Sequence, residues 1–252
     1  MQANNCAVYS NAASLTGIRL DLQARLAAES ICSAGGVFGL LGNIDPKPVT
    51  DCPPLRDPLA DRDAPAVGAC DYTDLSHENG NATLSPGVYC GGLKVSGTSK
   101  VTLEPGVYVI KDGPLEVSGK AQFSGEDVGF YLAGEKAVLK FSGDTTIRLS
   151  GVESGAMAGI LLFEDRTVSA NRLHLIRSAH ADVLTGTIYL PRGLLLVDPN
   201  ATVSAESAYT AIIANRISLT EGPVLVLNSD YGATRVPVPD GIRSTGRVIL
   251  TE

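Results

Sequence analysis

The chain has no Trp, two Met and three His among its 252 residues, and aromatic side chains make up only 5% of it. With 8 Tyr and 5 Phe it is poorly supplied for the exposed aromatic platform that a sugar-binding surface needs. Charged residues are sparse as well, at 19% against roughly 25% in an average soluble domain. Positive charge is in the minority, with a net charge of -7 and a pI of about 5.0. A nucleic-acid binder needs clustered cations to displace phosphate counterions, so that class is excluded. No apolar run approaches the ~18 residues of a spanning helix. The densest, Ala158-Gly159-Ile160-Leu161-Leu162-Phe163, has the length of a strand. The opening Met1-Gln2-Ala3-Asn4-Asn5 has neither the basic start nor the apolar middle of a secretory signal. The chain therefore reads as a soluble, acidic fragment, and its 44% hydrophobic residues suffice for a buried core.

What is present is punctuation. The 27 Gly and 14 Pro fall between short apolar segments. Thr83-Leu84-Ser85-Pro86-Gly87-Val88-Tyr89 returns 19 residues later as Thr102-Leu103-Glu104-Pro105-Gly106-Val107-Tyr108. Val95-Ser96-Gly97 returns as Val117-Ser118-Gly119 and Phe141-Ser142-Gly143, at offsets of 22 and 24 residues. A variable period near 20 is the mark of a solenoid whose coils tolerate insertions. Within each repeat the apolar residues alternate in strand fashion, as in Leu93-Lys94-Val95-Ser96 and Leu115-Glu116-Val117-Ser118. Pro-Gly and Ser-Gly pairs supply the corners. The pattern predicts an all-β right-handed parallel β-helix. The alternative is an antiparallel sandwich, but no Asn-Gly or Asp-Gly hairpin separates the repeated strands.

Residues 129–133, 159–163, 186–190 and 211–214 are near-continuous apolar strands, as expected where both faces are buried and a second layer covers the outer one. Residues 83–230 hold about seven coils, a rod roughly 35 Å long. The whole chain forms one β-helix domain: N-terminal coils at 1–42, a Pro- and Asp-rich excursion at 43–82, the main helix at 83–230 and a tail at 231–252. Ile18–Leu26 alternates as a strand, although its residue types also suit a helix. The excursion, with Pro46, Pro48, Pro53, Pro54, Pro58 and Pro65, cannot be a central strand and is expected to lie along the rod. Its seven Asp (45, 51, 57, 61, 63, 71, 74) lack the EF-hand frame, so a solvated acidic loop competes with a calcium site there.

The five cysteines, Cys6, Cys32, Cys52, Cys70 and Cys90, all lie in the first ninety residues. None forms a Cys-x-x-Cys pair, so a zinc site lacks its close spacing. Disulfides in an oxidising compartment are expected, with reduced buried thiols as the alternative. Cys70 with Cys90 would pin the end of the excursion to the first clear coil, closing a ~20-residue loop for about 3 kcal/mol. The pairing of Cys6, Cys32 and Cys52 stays open, and an odd count leaves one thiol over.

Catalytic signals are thin. There is no Gly-x-Ser-x-Gly elbow, no Walker loop and no dinucleotide fingerprint. His77 sits in a polar stretch read as a loop. His174, between Leu173 and Leu175, is read as pointing outward, and His180 lies in an unrelated context. Paired carboxylates acting on a glycan are the remaining possibility, with Glu164-Asp165-Arg166, Asp198 and Glu206 as the acids to consider. Glu164-Asp165-Arg166 is read as a solvated corner with a local ion pair. No enzyme activity, catalytic residue, metal or cofactor is expected.

Several phrases in order carry a family likeness: Leu84-Ser85-Pro86-Gly87-Val88-Tyr89-Cys90-Gly91-Gly92, Pro105-Gly106-Val107-Tyr108-Val109-Ile110, Ala158–Arg166, Leu184–Pro191, Ile31-Cys32-Ser33-Ala34-Gly35-Gly36 and Asp57-Pro58-Leu59-Ala60. Together they make most of the chain resemble the C-terminal region of bacterial TadE/TadG-like Flp (Tad) pilus assembly proteins. It departs from them in sparser, more charged Ser-Gly repeats, with Lys100, Lys111 and Lys120. The resemblance implies an extracytoplasmic location, a membrane-spanning segment upstream of Met1 and no catalytic residues to carry over. The expected role is a non-enzymatic structural or adhesive rod, its partners pilus subunits, other Tad proteins or a surface glycan. A carbohydrate-binding or polysaccharide-degrading β-helix is the competing expectation.

Overall fold

The computed structural model describes residues 1–21 and 23–242. It is a parallel β-solenoid of about ten turns, as the repeated phrases predict. All ladders between the described strands are parallel. Each coil visits three faces in the same order. In one coil residues 87–90 lie on the first face, 93–96 on the second and Lys100–Leu103 on the third. The next coil stacks Gly106–Lys111, Leu115–Val117 and Gln122–Gly125 on them in that order. No helix among the described residues is long and apolar enough to cross a membrane.

Register turns the repeats into columns. Tyr89, Ile110 and Leu132 stand one above another on the first face. Leu75, Leu93, Leu115 and Leu139 do so on the second. These side chains point into the shaft, where all but Leu75 are fully buried. At the corner between the second and third faces, Gly97, Gly119 and Gly143 all have positive φ, at 65°, 75° and 85°. A Cβ on Gly119 would sit 2.9 Å from the Gly97 carbonyl oxygen. The Ser-Gly phrase recurs because only glycine fits that stacked corner.

The order of coils in space is not their order in sequence. The lowest coil starts at Tyr72, and seven coils lead up to Val224–Leu227. The next strand on the third face is Gln2–Ala3, in register with Val226 and Leu227, followed by Leu26–Ala27 and Ile44–Asp45. The N-terminal coils thus crown the C-terminal end of the shaft, and the chain must then return to the bottom. Nine ladder steps come to about 43 Å. Residues 53–71 make the crossing, and nineteen residues reach at most about 65 Å. The non-strand crossing is narrower than the stretch 43–82, because Ile44–Asp45, Tyr72–Glu78 and residues 81–82 belong to coils. His77 accordingly lies on a strand instead of in a loop. Ile18–Leu26 is likewise not one strand. Ile18–Arg19 and Leu26–Ala27 occupy different faces, with a turn closed by the Ala24 amide on the Asp21 carbonyl, while Leu22 lies outside the described residues.

The strap runs over the outer side of the first face. Leu59, 2% exposed, packs among Val109, Tyr131, Phe163 and Tyr189. The tail packs there too: Tyr209 donates to the Pro237 carbonyl, and Gly159 lies against Pro237 and Pro239. This second layer is why Val128–Ala133 is buried on both faces. Residues 243–252 of the expected tail lie outside the described residues. Both ends of the strap are stapled. Cys70 pairs with Cys90, as the loop length led us to expect, and Cys32 pairs with Cys52, each across 20 residues. Cys6 is the free thiol. The two bonds belong to an oxidising, extracytoplasmic compartment. The double substitution Cys70→Ser/Cys90→Ser is expected to cost about 3 kcal/mol of stability in denaturant titration, with circular dichroism of the native state unchanged.

Candidate functional site

The triplet Glu164-Asp165-Arg166 ends the first-face strand of the fifth coil, and its three side chains part company. Alternation along Ile160–Glu164 sends Phe163 outward, in register with Tyr131, and Glu164 inward, in register with Leu132. Glu164 therefore takes the fourth place in the column of Tyr89, Ile110 and Leu132. On the second face Lys140 pairs with Leu175, which puts His174 above Leu139 in the leucine column. Two neighbouring apolar columns are interrupted on the same coil, and the two polar side chains meet.

The carboxylate is enclosed and fully engaged. Glu164 Oε1 accepts from His174 Nε2 at 2.9 Å and from Arg172 Nη2 at 2.8 Å. Glu164 Oε2 accepts from the Arg192 amide at 2.8 Å. Arg172 Nη1 donates to the carbonyls of Gly134 and Glu135, at 2.7 and 2.9 Å. The Leu139 amide donates to His174 Nδ1 at 3.2 Å, which assigns the ring proton to Nε2, facing Glu164. Glu164 and His174 are completely buried. Gly193 closes the site from above: a Cβ there would lie 2.6 Å from His174 Cδ2. Burial pushes the Glu164 carboxyl up, but the hydrogen bond from His174, then those from Arg172 and the Arg192 amide, outweigh it and hold the group below its ordinary value.

Two expectations are corrected here. Glu164 is not at a solvated corner, and His174 does not point outward. Leu173 is the exposed residue of that alternation, at 47%. Asp165 stays at the corner, accepting from the Thr167 amide and hydroxyl. Arg166 turns outward and clamps the strap. Its guanidinium lies 5.0 Å from the Phe163 ring centre and 5.3 Å from that of Tyr189. It donates to the carbonyls of Leu59 and Arg62 and to the Tyr189 hydroxyl. Tyr189 in turn donates to Asp57 at 2.7 Å. Burial above all pushes the Tyr189 hydroxyl up to about 12, against the pull of Arg166 and with the help of Asp57, so it remains a donor at neutral pH. Arg62 completes the clamp through the carbonyls of Ala156 and Ala158. Arg172 and Arg62 carried no motif, and Leu59 and Tyr189 lay in phrases of the family likeness that gave them no role.

The other candidates do not converge on this site. Asp198, nearly buried, is held by Thr220 and Arg177, whose hydrogen bonds lower its carboxyl below the ordinary range. Glu206 pairs with Arg148 on the third face, and His180 faces Asp144 at 3.3 Å. His77 lies in the lowest coil, its carbonyl bonded by Ser99. Among the described residues no three His, Cys, Asp or Glu side chains are grouped to hold a metal ion. A polar hollow of about 310 Å³ lies where the N-terminal coils meet the shaft. Its lining side chains bond one another, Asn4 Nδ2 donating to Asn228 Oδ1 at 2.8 Å.

The arrangement can brace and clamp; a carboxylate shut inside the shaft cannot meet a substrate. Glu164→Gln leaves Arg172 charged and buried without its partner, and should cost about 3–5 kcal/mol. The pH dependence separates charge from shape. Because the folded Glu164 titrates below its ordinary value of 4.5, its stabilisation is complete above that pH and is lost as pH falls through the folded value. Acid unfolding followed by circular dichroism should therefore be shallower in Glu164→Gln than in the parent. Arg166→Ala should leave the shaft intact but speed tryptic cleavage after Arg56 or Arg62 by about tenfold or more, since charge-assisted hydrogen bonds are worth about 1.5–3 kcal/mol each. No family model, no curated protein and no solved structure matches this chain.

Proposed function

We propose that this chain is a stiff extracytoplasmic module of a Flp/Tad-type pilus system, a structural or adhesive rod that does no chemistry of its own. In the full-length protein it is held to the membrane by a segment upstream of Met1, and it meets pilus subunits or a surface through a sheet face or an end coil. One observation carries the reading. The shaft is locked along its length by a strap whose ends are both disulfide-bonded, and its reactive-looking residues serve that lock. A ladder paired from coil to coil resists bending and proteolysis, which suits a spacer outside the cell. The pilus assignment itself rests on the phrases between Ile31 and Pro191.

The competing reading, a polysaccharide-binding or polysaccharide-degrading β-helix, needs two carboxylates facing each other across an open groove. Glu164 faces the interior, while Asp198 and Glu206 are tied to Arg177 and Arg148. The aromatic residues that could stack on a sugar are mostly in the core or under the strap, among them Tyr89, Tyr108, Phe163 and Tyr189.

Affinity capture of the full-length protein from cross-linked, piliated cells separates the two. Recovery of pilin or other Tad assembly proteins, lost when the rod is deleted, is the expected result. Depolymerisation of a glycan by the purified chain, abolished by neutralising one or two outward acids, would defeat it.

A further inference from the structure

Among the described residues the eighth coil is incomplete. On the third face Val224–Leu227, Gln2–Ala3 and Leu26–Ala27 follow one another in consecutive ladder steps. On the first face the strand below is residues 210–214 and the strand above is Ala7–Ser10. On the second they are residues 216–219 and Ile18–Arg19. Neither pair is joined. The twelve-stranded sheet ends at Thr210–Leu219, whereas Ala7–Ser10 and Ile18–Arg19 form separate two-stranded sheets with Ser30–Ser33 and Val37–Phe38. Because the third face has an extra strand at this level, the flanking strands on the other two faces are two ladder steps apart, roughly 9.6 Å. One more strand, about 4.8 Å from each neighbour, fits between them.

Burial shows the same opening. Ile217 and Leu219 are in register with Leu195 and Val197, which point into the shaft and are fully buried. Yet Ile217 is 38% exposed and Leu219 is only half-buried. Ile212 and Ala214 are likewise half-buried, although Ile188 and Leu190 beneath them are sealed. The preceding strand does not continue into the slot. After Leu227 the chain bends back, Ser229 bridging Tyr209 in the antiparallel sense.

We propose that this slot is a docking site for an extended polypeptide segment of a partner protein, which adds as a parallel strand across both faces. Its length would match the ten residues of Thr210–Leu219. A polypeptide is the occupant because the slot presents ladder edges above and below. Only another backbone offers donors and acceptors at strand spacing to two edges at once. A sugar or a lipid could cover the apolar side chains but could not complete the ladders. The segment should carry apolar residues at alternate positions, above Ile212, Ala214, Ile217 and Leu219, and a small residue at the bend between the faces. An acidic residue would suit the outward position beside exposed Arg216. This inference does not depend on the pilus assignment.

Hydrogen exchange on the full 252-residue chain tests it, with a synthetic peptide of residues 106–117 as probe. That sequence fills the same two faces in the third coil. In the free chain the slot-facing amides of 211–219 should exchange at least a hundredfold faster than those of 187–197. Saturating peptide should slow them at least tenfold. A peptide with Ser at the positions of Tyr108, Ile110, Leu115 and Val117 should not. Ile217→Asp, at a position already open to solvent, should abolish the protection while circular dichroism stays unchanged. Slow exchange in the free chain, or no protection by the peptide, overturns the proposal. So does protection that survives Ile217→Asp or the serine peptide. If slot amides are protected in the full chain and become fast only after truncation at Ile242, the slot holds the chain's own C-terminal residues and the partner is wrong.

Discussion

A strand in a parallel ladder satisfies half of its backbone groups below and half above. Nothing in that requirement refers to chain order. Here the consequence is unusually plain, because Gln2–Ala3 pairs with Val226–Leu227 across almost the whole length of the chain. Once the N-terminus is committed to the eighth level of the shaft, the chain has used the top three levels before it reaches residue 53. The bottom level can then be reached only by a long return crossing. The strap, its staples and the double-layered first face all follow from that single pairing.

The composition of the crossing suits it. Proline lacks the amide that a ladder needs, so a segment carrying Pro53, Pro54, Pro58 and Pro65 cannot be absorbed into the sheet it crosses. It must stay in a second layer, held by side chains. The outward column Val88, Val109, Tyr131, Phe163 and Tyr189 provides the apolar seat for Leu59. Arg166 turns the strap's own carbonyls into hydrogen-bond partners. The cysteines act locally: Cys32–Cys52 lies within the N-terminal coils and their exit, and Cys70–Cys90 within the lowest coils. Neither bond crosses the joint between Gln2–Ala3 and Val226–Leu227, which is held by ladder pairing, packing and the hydrogen bonds of Asn228 and Ser229 to Asn4 and Asn5.

Much of this was legible before any coordinates. The returning Pro-Gly and Ser-Gly phrases define the coil length because stacked corners demand glycine at the same place in each turn. The continuous apolar strands announce a covering layer, and the cysteines flanking the prolines mark its lower staple. The spatial order of the coils was not legible, since a two-residue pairing between distant segments leaves no periodic trace. Ile18–Leu26 misled for a related reason: alternation continued by chance through a corner. His174 is the more instructive error. Judged from Leu173 and Leu175 alone, it belongs on the outer surface. Aligned on the phrases Leu93-Lys94-Val95, Leu115-Glu116-Val117 and Leu139-Lys140-Phe141, it falls on the leucine position and must point inward. Register inherited from the repeat outweighs the polarity of one residue.

A charged cluster inside an apolar shaft needs a reason, because well-packed hydrocarbon of similar volume is often as stable or more so. The reason lies in the corner. In the second coil the turn from the first to the second face takes two glycines, Gly91 and Gly92, whereas in the fifth it takes residues 165–171. A detour of that length pulls the chain away from the corners above and below, leaving the carbonyl of Glu135 and the amide of Arg192 to side-chain partners, while the Gly134 carbonyl accepts from the Ala137 amide as well as from Arg172. Arg172 serves the two carbonyls, Glu164 serves the amide, and His174 links the carboxylate to the Leu139 amide. Replacing the trio by leucines would restore the columns and orphan three backbone groups, the Glu135 carbonyl and the amides of Arg192 and Leu139, each at a cost of about 1–3 kcal/mol. The same long corner delivers Arg166 to the outer face, so the residues that brace the shaft inside and the residue that clamps the strap outside are two answers to one local departure from the repeat.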